Sequence, residues 1–185
     1  MSKKTEILHS SSKKVTEKDV KEYIFERFED VKRNKKIRNL VSFHATNKYM
    51  IMSHSQIQLK ILGNIVASYK KNNFEDIISK YEKHLKEVLE IKPTNKTHCN
   101  VIMHIFGYFS SEFNQVEKEK FFELVKEFKE SKITIGQILS EINPIVFRFN
   151  NTYLASQTYF LLYSDPQPGN IFHMLKKNEQ ELKKF

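Results

Sequence analysis

Apolar residues recur at every third or fourth position along most of this chain, which is the spacing of helices that bury one face. The first such segment covers residues 17–33, where Thr16 and Asp19 have the spacing of a helix-capping pair. A longer segment covers residues 36–69 and predicts either one long helix or two helices with a break near residues 54–55. The N-terminal part of the chain is therefore predicted to be helical.

Five further periodic segments each follow a residue that commonly caps a helix. These residues are Asn73, Thr94, Asn114, Thr134 and Asn151. We expect the helix after Asn73 to end before Pro93, and the Asn143-Pro144 step to separate the last two short helices. Residues 165–169 are a predicted loop, and residues 172–184 predict one exposed helix. The whole pattern predicts an all-α bundle of about seven helices.

The composition favours one globular domain. The chain has 185 residues, of which 39% are hydrophobic and 29% are charged, with only four glycines and four prolines. This balance is too apolar for disorder, and the scarcity of turn-forming residues disfavours a β-rich fold. We expect a single helical domain over residues 16–185 and a mobile basic tail over residues 1–15. No stretch has the length and apolarity of a membrane span or a secretion signal, so we expect a cytoplasmic protein.

The charge and the cysteine count narrow the possible chemistry. The formal charge of +9 and the isoelectric point near 9.4 indicate anionic partners, with nucleic acid ahead of acidic proteins or membrane surfaces. A single cysteine, Cys99, excludes an internal disulfide and a cluster held by several thiolates, and we expect it to be buried. The sequence has no phosphate-binding loop, dinucleotide turn, nucleophile elbow or metal-ligand spacing. We therefore predict no metal and no cofactor.

One set of polar residues interrupts the long apolar segment. On a single helix His44, Lys48 and Ser55 would lie within about 40° of one another. His54 would lie about 80° from that line. An imidazole, an ammonium and a hydroxyl on one face can donate to phosphate oxygens. The competing interpretation is that both histidines are buried with hydrogen-bond partners and that Lys48 is only solvated, and these residues alone leave both open.

A second polar set recurs at four-residue spacing in the segment after Thr94. It consists of Lys96, Asn100, His104 and Tyr108. Amide, imidazole and phenol groups in a row can hydrogen-bond the edge of an unpaired RNA base or stack on it. A buried hydrogen-bond network between helices fits the same spacing, so both interpretations stay open.

Three segments together resemble the YbgA-like family, a helical domain of unknown function. The first is Phe43-His44-Ala45 with Lys48, Met52, His54 and Ser55, leading to Leu62-Gly63. The second is His98, Asn100-Val101, His104 and Gly107-Tyr108-Phe109. The third is Tyr153-Leu154 with Gln157 and Tyr159. The resemblance spans residues 36–163, which is most of the chain.

The resemblance implies a function that the spacing alone does not. In many relatives this domain follows a desulfidase domain that removes sulfur from thiolated uracil with a cysteine-held iron–sulfur cluster, and the helical part is thought to hold the tRNA. The present chain would then be an RNA-binding accessory domain of thionucleoside metabolism, without a catalytic cluster of its own. A separate desulfidase or other enzyme would be its partner. The chain departs from the family pattern at Gln56, where many relatives have proline, and over residues 135–141, where a histidine is lost.

The combined interpretation is a basic groove between the two polar sets that binds RNA, with tRNA favoured. The phosphate-binding residues would be Lys48, Ser55, Lys60 and Lys96. The base- or sugar-facing residues would be His44, His54, Asn100, His104 and Tyr108. One alternative is a small hydrolase or lyase of nucleoside-type metabolites with His44 or His104 as general base. Another is an accessory protein whose apolar residues 160–172 dock a separate enzyme. Enzymatic activity of this chain by itself is the less favoured outcome.

Overall fold

Helices form nearly all of the computed structural model, which describes residues 15–148 and 151–164. That part of the chain contains ten α-helices, a 3-10 turn at Ser68–Lys70 and no strand. The helices are α1 (Glu17–Asn34), α2 (Ile37–Thr46), α3 (Lys48–His54), α4 (Gln56–Ala67), α5 (Phe74–Glu90), α6 (Asn95–Phe106), α7 (Gln115–Lys129), α8 (Ile135–Arg148), α9 (Thr152–Ala155) and α10 (Thr158–Tyr163). About eight of them have seven or more residues and pack as one bundle, which confirms the all-α prediction.

Capping hydrogen bonds fix where several helices begin. The Thr16 hydroxyl accepts from the backbone N–H of Asp19 at 3.2 Å, and the Thr16 N–H donates to the Asp19 carboxylate at 2.7 Å. The same reciprocal pair joins Asn114 and Glu117 at the start of α7, and Asn73 caps α5. These contacts satisfy backbone N–H groups that the first turn of a helix leaves without partners. The predicted starts of these three helices are therefore confirmed.

The apolar segment over residues 36–69 is divided at two places. One is Ser55, whose hydroxyl accepts a backbone N–H at 3.2 Å and caps α4, as the two-helix prediction requires. The other is Asn47, between α2 and α3, which the sequence pattern does not predict. The Asn47 side chain donates to the carbonyl of Phe43 at 2.8 Å and accepts from the hydroxyl of Thr158 at 2.7 Å. The second break therefore depends on a residue more than a hundred positions away.

Helix α8 continues through Pro144, so the predicted division at Asn143-Pro144 is wrong. Proline at this position deprives the carbonyl of Ser140 of its N–H partner. The helix nevertheless buries Ile138, Leu139 and Ile142 on one side. Burying each of these side chains is worth about 1.5–3 kcal/mol, and together they outweigh the penalty of about 3 kcal/mol for an interior proline.

The interior of the bundle is built around α3. Six of its seven residues are buried, and the helix contacts α2, α4, α5, α6 and α10. Cys99 is also buried, on α6, as predicted, and burial raises the pKa of its thiol. On α10, Tyr159, Phe160 and Leu162 are buried in the same core. Residues 160–164 are therefore largely core, and the rest of the segment for which docking to a separate enzyme was the alternative, residues 165–172, lies outside the described residues.

Several predictions fall where the structure gives no description. Only Val15 of the expected basic tail is described, and it is exposed. The predicted loop over residues 165–169 and the predicted helix over residues 172–184 lie outside the described residues. Among the helices that are described, none has the length and apolarity to cross a membrane.

Candidate nucleic-acid interface

Three separate parts of the chain meet around the ring of Tyr49. Lys48, at the start of α3, places its ammonium nitrogen 5.4 Å from the centre of that ring. Burial, and after it the nearby side chain of Tyr108, which follows α6, raises the pKa of the Tyr49 hydroxyl. The rings of Tyr108 and Tyr153, the latter from α9, lie with centroids 6.1 Å apart. We call Lys48, Tyr49, Tyr108 and Tyr153 the tyrosine surface.

The members of the tyrosine surface differ in their access to solvent. Tyr49 is 1% exposed and forms the base, whereas Tyr108 is 43% exposed. Lys48 and Tyr153 are half-buried. The arrangement offers solvent two aromatic rings beside an ammonium group, supported from below by a third ring.

The α6 stripe predicted from four-residue spacing lies at the surface. Lys96, His104 and Tyr108 are exposed, and Asn100 is half-buried. The Asn100 side-chain N–H donates to the side-chain oxygen of Gln56 at 3.3 Å. This contact brings the first turn of α4 against the stripe. The stripe is therefore not a buried network between helices.

Ser55 and Lys60 reach the same region through α4. Ser55 is the N-cap of α4, so it lies directly before Gln56. Lys60 is exposed and lies four residues after Gln56, which places both on one side of the helix. The Ser55 hydroxyl already accepts a backbone N–H, and its own O–H remains to donate to a ligand.

His54 lies in the core and not in an open groove, which contradicts its expected base-facing position. It is 2% exposed, and both ring nitrogens have partners inside the protein. Because a carbonyl can only accept, Nδ1–H donates to the carbonyl of Ile91 at 2.6 Å. In the neutral ring Nε2 then accepts from the hydroxyl of Tyr163 at 3.0 Å. Burial lowers the pKa of His54 to about 4, so the ring is neutral at pH 7.

His98 is a second buried histidine in the same part of the core. Its Nδ1 lies 2.8 Å from the hydroxyl of Tyr159, and its ring centre lies 5.0 Å from that of Tyr163. Burial, with a smaller contribution from nearby His54, lowers the pKa of His98 to about 4. The two histidines therefore join α3 and α6 to α10. His54 and His98 are thus buried histidines whose rings are hydrogen-bonded inside the core.

His44 occupies an intermediate position between the core and the surface. Its Nδ1 lies 3.0 Å from the hydroxyl of buried Tyr81, and the ring is half-buried. A side chain on Gly63 would meet Nε2 at 3.4 Å, so the glycine lets α4 pass close to this ring. Burial, followed by the charge of Lys48, lowers the pKa of His44. His44 thus lies near the tyrosine surface but is held by α5.

The sequence interpretation missed two members of the surface. Tyr49 and Tyr153 lie inside the motifs, but neither was expected to form a site. Their spacing gives no signal, since the rings meet only after segments far apart in sequence are folded together. Gln157 was likewise noted only as part of a motif, and it donates to the carbonyl of Ala45 at 2.9 Å across the break between α2 and α3.

Metal ligands do not cluster in the described part of the chain. Among residues 15–148 and 151–164, no group of three or more His, Cys, Asp or Glu side chains is placed to hold a metal ion. The absence of a metal and of a cofactor stays a prediction.

The fold and the surface thus define an all-α protein that exposes tyrosine and lysine side chains along one helix and its neighbours. The chain belongs to the family described as protein of unknown function (DUF1722), whose model matches residues 48–164. It is also similar to the uncharacterized protein YbgA of Escherichia coli (strain K12). The two are 25% identical over 135 residues, which cover 72% of this chain and 79% of that protein. No solved structure matches the chain.

Proposed function

We propose that this protein binds RNA through the tyrosine surface and the adjoining α6 stripe, with tRNA as the favoured ligand. The observation that carries the proposal is the convergence of Lys48, Tyr108 and Tyr153 from separate parts of the chain. Tyrosine rings stack on unpaired bases whatever their identity, and an adjacent ammonium neutralises the phosphate. Such a surface suits looped or single-stranded RNA better than a duplex.

The lysines of this region support the same proposal. Lys48, Lys60 and Lys96 form no ion pair with any described residue. By contrast, Lys32 is paired with both Glu29 and Glu82. An unpaired ammonium can neutralise a phosphate without first giving up a carboxylate partner. The net charge of +9 favours the same class of ligand.

A role in thionucleoside metabolism is the finer part of the proposal. It rests on the resemblance to relatives in which this domain follows a thiouracil-desulfidase domain. The chain would present the RNA, and a separate desulfidase or other enzyme would perform the chemistry. Comparing tRNA that carries thiolated uridine with the same tRNA after desulfuration tests this part, because a protein of this role should bind the two forms differently.

The alternative of a histidine-based hydrolase or lyase has less support. A general base is normally oriented by a second polar group and faces the substrate. His104 is exposed and has no hydrogen bond from its ring to any described residue, and His44 is half-buried against Tyr81. Neither histidine contacts a carboxylate among the described residues.

Binding of bulk tRNA, measured by filter retention at low salt, tests the proposal. Tyr108→Ala should weaken binding by about tenfold, because loss of a stacked base costs about 1–3 kcal/mol. Tyr108→Phe should bind almost as the wild type does, since the ring remains. Tyr69→Ala is the matched control, because Tyr69 is 42% exposed and Tyr108 is 43% exposed. Failure of the wild-type protein to bind tRNA at low salt would remove the proposal.

The identity of the RNA requires a separate experiment. RNA that copurifies with the protein should be sequenced beside RNA from a Tyr108→Ala preparation made in parallel. We expect tRNA to be enriched in the first sample and depleted in the second. Enrichment of another RNA class would replace tRNA while leaving the RNA-binding proposal in place.

A further inference from the structure

A cavity of about 740 Å³, distinct from the tyrosine surface, lies between α1, α2 and the segment that carries α9 and α10. Its volume is within the range of about 300–1,000 Å³ that small-molecule sites occupy. One side is formed by the face of α1 that carries Tyr23 and Arg27, and another by the face of α2 that carries Asn39, Ser42 and Phe43. From the groups that line it, we propose that this cavity binds one nucleoside monophosphate unit, as a free nucleotide or as one unstacked nucleotide of an RNA.

The inner wall of the cavity is a formed polar surface. Asn47, Gln157 and Thr158 line it and are at most 8% exposed. Thr158 donates to Asn47 at 2.7 Å, and Gln157 donates to the carbonyl of Ala45 at 2.9 Å. Because these contacts already hold the side chains in place, ligand binding costs little additional side-chain entropy at this wall.

The charge of the cavity favours a single anionic group. Arg27 lies over the ring of Tyr23, with the guanidinium carbon 5.8 Å from the ring centre. It forms an ion pair with no described carboxylate. Asp30 also lines the cavity, but it is already paired with Arg33. The guanidinium of Arg27 is thus available to bind a phosphate.

The remaining groups suit a planar base. Tyr23 and Phe43 contribute aromatic side chains, and Leu161 adds an apolar surface. The half-buried Asn39 lines the same cavity, and its side-chain amide makes no hydrogen bond to a described residue. An amide offers both a donor and an acceptor, which is the combination needed at the edge of a base.

The cavity and the tyrosine surface adjoin at the break between α2 and α3. Asn47 lines the cavity, and the next residue, Lys48, belongs to the tyrosine surface. Gln157 donates from the cavity side to the carbonyl of Tyr153 at 3.4 Å. An RNA on the tyrosine surface therefore has a short path by which one nucleotide enters the cavity. Binding of an RNA nucleotide in the cavity rests on the proposed function. Binding of a free nucleotide does not, since it needs no RNA on the tyrosine surface.

Titration of the full chain with each of the four 5′-ribonucleoside monophosphates, followed by calorimetry, tests the free-ligand source. Ribose 5-phosphate is the control that lacks a base. We expect at least one monophosphate to bind about tenfold or more tightly than ribose 5-phosphate, because stacking and amide contacts require the base. The same protein should be titrated with tRNA to test the second source.

Three variants locate the binding in the cavity. Ser42→Phe fills it from an exposed position whose side chain has no hydrogen bond to a described residue, and should abolish binding. Arg27→Gln should weaken binding about tenfold by removing the charge. Arg38→Gln removes the same charge from an exposed position of α2 outside the cavity and should change nothing. Arg27→Gln alone decides the result if Ser42→Phe does not fold, because Arg27 is exposed.

Each outcome has one meaning. Loss of monophosphate binding in Ser42→Phe and its weakening in Arg27→Gln support a free nucleotide, even if tRNA never binds. Weakened tRNA binding in both variants, without measurable monophosphate binding, supports an RNA nucleotide. If no monophosphate binds and both variants bind tRNA as the wild type does, the inference is overturned while the proposed function stands. Binding that Arg38→Gln weakens as much as Arg27→Gln also overturns it.

Discussion

The hydroxyl of Thr158 donates a 2.7 Å hydrogen bond to the side-chain oxygen of Asn47. This bond joins the start of α10 to the break between α2 and α3, and both residues are buried. Gln157 adds a second connection by donating to the carbonyl of Ala45. The position of Lys48 therefore depends on α10, although the two are separated by most of the chain.

Thr158→Val should destabilise the protein by about 1–3 kcal/mol, because it leaves the buried oxygen of Asn47 without a donor. The side chains have nearly the same shape, so packing changes little. Urea unfolding followed by circular dichroism measures the effect. Thr152→Val, at an exposed position of α9, is the control and should change stability by less than about 0.5 kcal/mol. Equal stability of the two variants would contradict a structural role for the bond.

Acid should destabilise the protein between about pH 6.5 and pH 4. The folded protein lowers the pKa of His54 and of His98 to about 4 from an ordinary value of 6.5. The unfolded chain therefore binds more protons in this window, and stability that is fully present above pH 6.5 is lost as the pH falls. Each histidine contributes up to about 3 kcal/mol to the difference. Unfolding in urea at a series of pH values measures the trend.

One neighbouring group opposes this trend, and one surface histidine provides the control. The Glu17 carboxylate lies 3.8 Å from His54 Nε2, and burial raises its pKa, so its protonation stabilises the fold at the acid end. His104→Gln should leave the pH dependence unchanged, since His104 is exposed. A stability that is constant from pH 7 to pH 4.5 would contradict the burial of neutral histidines.

Pro144→Ala should raise the stability of the protein by about 1–3 kcal/mol. Alanine restores a backbone N–H for the carbonyl of Ser140 and is the best helix former, whereas proline is the worst. Pro144 is exposed, so little packing is lost. Pro93→Ala, in the connection between α5 and α6, should have the opposite sign because it only increases the freedom of the unfolded chain. A less stable Pro144→Ala variant would show that the proline is needed where it stands.

RNA affinity should fall steeply with salt, and the residues of the interface should divide into two groups. Lys48→Ala and Lys96→Ala should each flatten the slope of log affinity against log salt by about 0.7–0.9. Tyr108→Ala should weaken binding to unpaired bases of any identity, Asn100→Ala should reduce discrimination between RNAs, and both should leave the slope unchanged. Lys32→Ala is the control, because Lys32 is already ion-paired within the protein. An unchanged slope in both lysine variants would exclude these residues as phosphate contacts.

Local chemistry is what the sequence predicts well. The Thr16, Asn73 and Asn114 caps act within one turn of their own helices, so their residue types and spacing suffice to place the starts. The burial of Cys99 likewise follows from its position in an apolar periodicity. The four-residue spacing on α6 is compatible with an exposed polar stripe and with a buried hydrogen-bond network. Only the packing of α6 decides between these two interpretations.

Contacts between distant segments account for the differences. The break at Asn47 requires Thr158, and the burial of His54 requires the carbonyl of Ile91 and the hydroxyl of Tyr163. The periodicity of apolar residues within one segment gives no information about partners in distant segments. The motif that contains His54 identified the family correctly. The side chain of His54, however, lies in the core, where the sequence interpretation expected it to face a base.

Cys99 gives the protein an internal reporter of its own opening. The thiol is 6% exposed on α6, and burial raises its pKa, so a thiol reagent should react only when this helix separates from the core. The labelling rate then measures the free energy of opening at one site, without any added probe. Because a ligand that binds only the closed protein must dissociate first, RNA on the neighbouring face of α6 should slow labelling in proportion to its occupancy.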